Sequence, residues 1–298
     1  MEITTAFNNR GLNLQEQCTV KSSLIEIKLN ENFKSTRFWG KIFGIENDYL
    51  IIEATSMNHQ IQHKYFFSID GGLNFAQLPI VEPWMNAKCN KIAAMFTGIT
   101  SYVYEDEELK DKSENEDDEN EDDENEEEAN GGNEDEQDQE KKDSENDEPP
   151  KIEYKLRELA RIAWTISSIN DECCIVPKDS LVLTSSKIMQ KNRNFTGLNR
   201  NDANKLDSYL HFRTPRDPYS VSKYRKATAM NDTEFLDPIT NDLPKGCWRL
   251  QSKSAGLEVN VKNLLWPGFE FKYCVGDSQY VQGYFGNGIR QNDLVFMI

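Results

Sequence analysis

Three histidines, six cysteines and a dense run of carboxylates are the side chains here that could do chemistry. His59 and His63 are four residues apart, the spacing that brings two imidazoles to one side of a helix for a metal. Gln60 follows His59, so the His-Glu-x-x-His motif fails. The pair also sits in a polar Ser56-Met57-Asn58-His59-Gln60 stretch that reads as a solvated loop before a strand. His211, between Leu210 and Phe212, reads as a partly buried structural histidine rather than a base. Cys18, Cys89, Cys173, Cys174, Cys247 and Cys274 show no Cys-x-x-Cys spacing. Neighbouring strand side chains point to opposite faces, so Cys173 and Cys174 cannot converge on one metal and read as core thiols. No Gly-x-Ser-x-Gly nucleophile elbow occurs. Gly283, Gly286 and Gly288 stand in the wrong order for a dinucleotide fingerprint and suit tight turns between strands. Asp117-Asp118-Glu119-Asn120-Glu121 lacks the glycine of a calcium loop. These residues predict no catalytic group, no metal site and no cofactor, and so a protein that is not an enzyme.

The charge is unevenly spread. The chain of 298 residues carries a formal net charge of −17. Residues Glu105 to Glu148 hold 26 acidic and 4 basic side chains, so this stretch contributes −22 while the rest sums to +5. Its one large apolar residue is Leu109, and it ends at Pro149-Pro150. Low hydrophobicity with high charge leaves chain entropy uncompensated, so 105–150 is predicted to be a disordered acidic insert. Residues 1–104 and 151–298 could each be a domain. Because loop-closure entropy grows slowly with loop length, they could equally be one domain interrupted by that insert, the reading that the family resemblance below favours. No stretch approaches the ~18 apolar residues of a membrane span. The polar Met1–Arg10 segment does not resemble a secretory signal, so reduced thiols in the cytoplasm are expected. The Asn194 and Asn231 triplets are accordingly predicted to be unglycosylated.

The elements that must position these residues are short. Asn13 and Glu16 have the spacing of a capping box, and Leu14, Cys18, Ile25 and Leu29 then fit one helical face. Phe38–Ile45 and Tyr49–Thr55 read as a hairpin, and Lys64–Ile69 as a third strand closed by Asp70-Gly71-Gly72. Pro83 begins a helix predicted to carry Met85, Cys89, Ile92, Ala93 and Phe96, and Tyr102–Tyr104 starts a strand. After the acidic run, Leu156, Leu159, Ala163 and Ile166 fit a helix, Cys173–Val176 a buried strand stopped by Pro177, and Asn199 the cap of a short helix. From Trp248 onward apolar and polar residues alternate through Leu250, through Leu257, Val259 and Val261, and through Phe269, Phe271 and Tyr273. Tyr280–Phe285 and Leu294–Ile298 are read as the last strands. One-sided alternation marks antiparallel strands with one buried face. The predicted class is α+β: antiparallel β-hairpins or a sheet with a few packed helices.

Large aromatic rings stand beside glycine or proline in Phe38-Trp39-Gly40, at Trp248 and in Trp266-Pro267-Gly268. They are the candidate interface or structural motif, each ring being either a core side chain or an anchor for a partner.

These residues also carry a family resemblance. Arg37-Phe38-Trp39-Gly40-Lys41-Ile42-Phe43-Gly44-Ile45 with Asp48-Tyr49-Leu50-Ile51 is similar to the Trp-Gly-basic-Ile-x-Gly hairpin of radial spoke head proteins. Lys64-Tyr65-Phe66-Phe67-Ser68 and the Phe96-Thr97-Gly98 stretch through Tyr104-Glu105 continue it. So do Asn192–Leu198, Lys205–Arg213, Asp242–Trp248, Leu264–Gly268 and Asn292–Ile298. The likeness covers nearly all of 37–298 except the insert, and residues 1–36 match only as a helix. It implies a non-enzymatic structural subunit of the radial spoke head, in the cytoplasm, cytoskeleton and axoneme of motile cilia, helping to relay mechanical signals between central apparatus and dynein-bearing doublets. Implied partners are spoke head proteins of the 4 and 6 types, further head subunits and, transiently, the central apparatus; no nucleic acid or membrane is expected. The rival reading is an acidic binding protein or chaperone for basic partners, in which the insert would be the active element. Such a role would require neither the Trp-Gly hairpin nor the Trp-Pro-Gly turn.

Overall fold

A computed structural model describes residues 12–30, 33–58, 60–104, 155–184, 188–226, 233–277 and 279–296. The acidic insert, His59, Asn231 and the last two residues lie outside them. Helix α1 spans Leu14–Asn30 and opens with the anticipated capping box. The Asn13 amide donates to Glu16 Oε2 and the Glu16 amide to Asn13 Oδ1, each at 2.8 Å. Strands β1 (Ser35–Ile42), β2 (Tyr49–Asn58), β3 (Gln60–Ser68) and β4 (Ala76–Gln77) follow as a meander. Helix α2 (Pro83–Cys89) and strand β5 (Val103–Tyr104) lead up to the acidic run. Beyond it come β6 (Leu156–Arg157), α3 (Glu158–Cys173), β7 (Ile175–Pro177), β8 (Leu181–Leu183), β9 (Met189–Lys191), α4 (Arg200–Ala203), β10 (Tyr209–His211) and α5 (Pro218–Lys226). The C-terminal meander is β11 (Trp248–Lys253), β12 (Glu258–Asn263), β13 (Phe269–Cys274) and β14 (Tyr280–Gly286). The class is α+β.

The two meanders make one sheet of eight strands in the order β11-β12-β13-β14-β1-β2-β3-β4. Every pairing in it is antiparallel except the seam between β1 and β14, where Gly40, Lys41 and Ile42 run parallel to Tyr284, Phe285 and Gly286. Apart from that sheet, β5 pairs with β6, so Tyr104, before the acidic run, lies opposite Leu156, after it.

Each face of the sheet has its own cover. Helix α3 packs Ile162, Ala163, Ile166 and Ile169 against one face, with Ile51, Phe67, Trp266 and Phe271 in the same core. Helix α1 packs Val20 on the other face, over Phe38, Leu50, Ile52 and Phe66. A fully buried side chain of this kind stabilises the fold by ~1.5–3 kcal/mol. The switch between faces within β1 comes from a bulge: Phe38 pairs with Ile52 and Gly40 with Ile51, leaving Trp39 as the extra residue. Phe38 therefore joins the α1 side and Trp39 the α3 side, and the shifted phase sends Ile42 to the α3 side as well.

Several boundaries differ from the sequence reading. His63 lies on β3, because the polar stretch before it pairs with β2 as a long hairpin arm instead of forming a loop. Helix α2 stops at Cys89, so Ile92 reaches the core from the turn that follows it and Phe96 from the irregular segment beyond. Leu156 belongs to β6 and Cys173 closes α3. Residues Asn292–Phe296 form a 3-10 turn rather than a strand, anchored by buried Leu294.

Candidate functional site

The aromatic motif converges on the last turn of α3. The Trp39 indole N–H donates to Asn170 Oδ1 at 2.8 Å, and Asn170 Nδ2 donates to the Tyr65 hydroxyl at 2.8 Å. Two residues on, Glu172 Oε2 accepts from the Trp266 indole at 2.9 Å and from Arg290 Nε at 3.1 Å. Trp248 finds its acceptor on Asp242, at 2.7 Å, and the same carboxylate holds His211 Nε2 at 2.8 Å. Phe38, Trp39, Trp248 and Trp266 are all buried within their own chain. Each indole satisfies its one donor there, as a buried tryptophan must.

The small residues of the motif serve close backbone approach. A Cβ on Gly40 would stand 2.1 Å from the Tyr284 carbonyl oxygen, so the parallel seam closes only with glycine. Gly268, at φ +111°, would place a Cβ 2.3 Å from the carbonyl of Phe285. Pro267 is exposed at the turn before β13. Gly40 thus lets β1 close on β14, and Gly268 lets the turn before β13 close on the same strand.

Two buried charges complete the frame, and sequence reasoning missed both. Glu158, fully buried at the first turn of α3, accepts from the Tyr49 hydroxyl at 2.7 Å, the Gly98 amide at 2.8 Å, and the Thr97 amide and hydroxyl at 3.1 and 2.5 Å. The Tyr104 hydroxyl adds a fifth contact at 3.2 Å and itself accepts from Arg161 Nη1 at 2.7 Å. Arg161 stacks 4.2 Å above the Phe96 ring. Burial raises the pKa of Tyr49 and Tyr104, which keeps both hydroxyls protonated and donating. A carboxylate at a helix N-terminus was the available signal, but nothing in its spacing named the five donors.

Glu53 lies on β2 beside Arg37, His63 and Tyr65, with His63 Nδ1 at 2.7 Å. Burial pushes the Glu53 carboxyl up, but the Arg37 charge, aided by His63, outweighs it and holds the group at about 2. On the α1 side of the sheet, Lys41 bridges Glu16 at 3.0 Å and Asp48 at 2.9 Å.

Reactive chemistry is disfavoured at the buried thiols. Burial pushes Cys89 up to about 12 and Cys174 and Cys247 to about 11, so they are thiols at neutral pH. Among the described residues no group of three histidine, cysteine or acidic side chains could hold a metal ion. The α1 face predicted from Leu14, Cys18, Ile25 and Leu29 points outward, with Leu14 76 % and Leu29 69 % exposed. Val20 and Ser23, with Leu24 and Ile27, make the buried contact instead. The arrangement braces a two-faced sheet; what it offers chemically is rigidity and exposed edges.

The family model described as radial spokehead-like protein matches residues 1–163. The chain is 28 % identical over 297 residues to radial spoke head protein 9 homolog of Danio rerio, covering 98 % of this chain and 95 % of that one. The human protein of the same name is 27 % identical over 291 residues, with 98 % and 95 % covered. That of Xenopus tropicalis is 23 % identical over 288 residues, with 97 % and 94 % covered. The family match takes in β1, its bulge and the Glu158 anchor, and the likeness to these relatives runs on through β14. The chain belongs to the radial spokehead-like protein family.

Proposed function

We propose that this chain is a radial spoke component, and more narrowly a non-enzymatic structural subunit of the spoke head in the axoneme of motile cilia. The observation that carries the reading is end-to-end likeness to proteins named radial spoke head protein 9 homolog, over 98 % of the chain. The fold is compatible with that role: its aromatic rings brace one sheet, and apolar side chains on α1 stay available on the outside. In this reading residues 1–104 and 151–298 act as one folded unit, supported by a sheet that takes four strands from each side of the acidic run. The partners are spoke head proteins of the 4 and 6 types with further head subunits, and the contact with the central apparatus is transient. Through it the head passes mechanical signals towards the dynein-bearing doublets.

A tagged copy expressed in a ciliated cell tests this directly. Axonemal signal retained after detergent extraction is the expected result, with other head subunits copurifying at high salt because apolar contacts are little screened. A soluble or nuclear signal overturns it and favours the basic-partner chaperone.

A further inference from the structure

The eight-stranded sheet has unequal edges. β4 ends it with two residues, whereas β11 presents six, Trp248 to Lys253. The Leu264 amide donates to the Cys247 carbonyl at 2.8 Å, which fixes the phase of the β11–β12 ladder. In that phase Arg249, Gln251 and Lys253 direct their backbone groups towards β12. The N–H and C=O groups of Trp248, Leu250 and Ser252 point out of the sheet and have no partner among the described residues.

The side chains say what this edge would accept. Trp248 and Leu250 face the core, and Arg249, Gln251 and Lys253 lie exposed on the other face. Lys253 stands opposite Glu258, but Arg249 stands opposite Lys262, whose ammonium is already 2.5 Å from Glu270. Like charges directly across a ladder repel, so the β12 side offers Arg249 no counter-charge. A carboxylate on a strand added outside β11 would supply it.

We infer that β11 is a strand-addition surface for an extended segment of a partner polypeptide bearing glutamate or aspartate opposite Arg249. The backbone of Trp248, Leu250 and Ser252 supplies the ladder, and Arg249 selects an acidic strand over a basic one. This goes beyond membership of the spoke head, and a purified chain tests it without an axoneme. The probe is a fluorescein-labelled eight-residue peptide alternating valine or threonine with glutamate, beside a counterpart with lysine for glutamate. Anisotropy is read at low and physiological salt on the full chain, with thermal melts confirming that each variant is folded.

Ser252→Pro deletes one outward N–H while sparing the β12 ladder, a substitution that an edge strand tolerates. It should weaken the glutamate peptide at least tenfold. Arg249→Glu, on an exposed side chain, should reverse the preference towards the lysine peptide. Absence of saturation by the glutamate peptide up to millimolar concentration overturns the inference. So does affinity unchanged by Ser252→Pro, or a peptide preference indifferent to Arg249→Glu.

Discussion

Trp39 and Asn170 are joined by a 2.8 Å hydrogen bond across 131 residues of sequence, from the bulge of β1 to the last turn of α3. The bulge aims the indole at that turn, and the amide on the turn passes the contact on to Tyr65 of β3. One side chain thus ties the sheet to its covering helix.

Trp39→Ala should cost ~3–5 kcal/mol, the usual range for emptying a buried aromatic site. Trp39→Phe keeps most of the ring volume and leaves the partly buried Asn170 oxygen with the weaker Cys174 thiol donor at 3.3 Å, at a cost of ~0.5–1.5 kcal/mol. A double-mutant cycle of Trp39→Phe with Asn170→Ala, followed by urea unfolding, should return a coupling above ~0.5 kcal/mol. Additive losses would show that the bond does not bear on stability.

Glu158→Ala removes the acceptor of five contacts and leaves the Thr97 and Gly98 amides unpaired in the interior. The expected loss is at least ~3 kcal/mol, since stranded buried donors retain their desolvation cost. Glu158→Gln, which keeps the shape and one acceptor, should recover part of it. Equal melting temperatures for the two variants would contradict this.

Glu53 predicts a pH dependence. Its folded pKa, about 2, lies below the ordinary value of 4.5. A depressed carboxylate contributes stability that is complete above the unfolded value and is lost as pH falls through the folded one. Urea midpoints should therefore drop between pH 4.5 and 2, and Glu53→Gln should flatten that part of the profile. A variant whose profile in this window matches the wild type would exclude Glu53 as the source.

Deleting residues 106–148 should leave the fold intact, because Val103 and Tyr104 pair with Arg157 and Leu156 at the base of the removed stretch. Shortening a loop of this size lowers the closure cost by only ~1.6 kcal/mol, so the melting temperature should hold or rise slightly. Calorimetry checks the stability, and recovery of head subunits with the shortened chain checks assembly. Normal assembly with altered beating would assign the acidic stretch a role as an electrostatic spacer.

Local signals in this sequence were legible where one residue's neighbours decide its conformation. The Asn13–Glu16 cap, the hairpin from Phe38 to Thr55 and the inward alternation of Val259, Val261, Phe269, Phe271 and Tyr273 stand where their patterns put them. Leu257, read as inward on the same strand, is instead 62 % exposed in the turn before β12. The α1 face failed differently: helical spacing marks which residues share a side, but whether that side is buried depends on where the sheet lies. Leu14, Ile25 and Leu29 share a side that the sheet does not cover. The parallel seam was hidden for a related reason, since nothing near Gly40 refers to Tyr284. The indole acceptors Asn170, Glu172 and Asp242 were likewise ordinary polar residues until the fold brought three indoles to them.

The seam also sets the order in which the molecule can be made. A ribosome releases β1 long before β14, so the N-terminal meander must wait with one edge of its sheet open, a state prone to wrong pairing. Contacts between distant parts of a chain form slowly. Nonsense or frameshift changes anywhere before Tyr280 therefore remove the strand that closes this edge, and should yield aggregates or rapid turnover instead of a shortened working subunit.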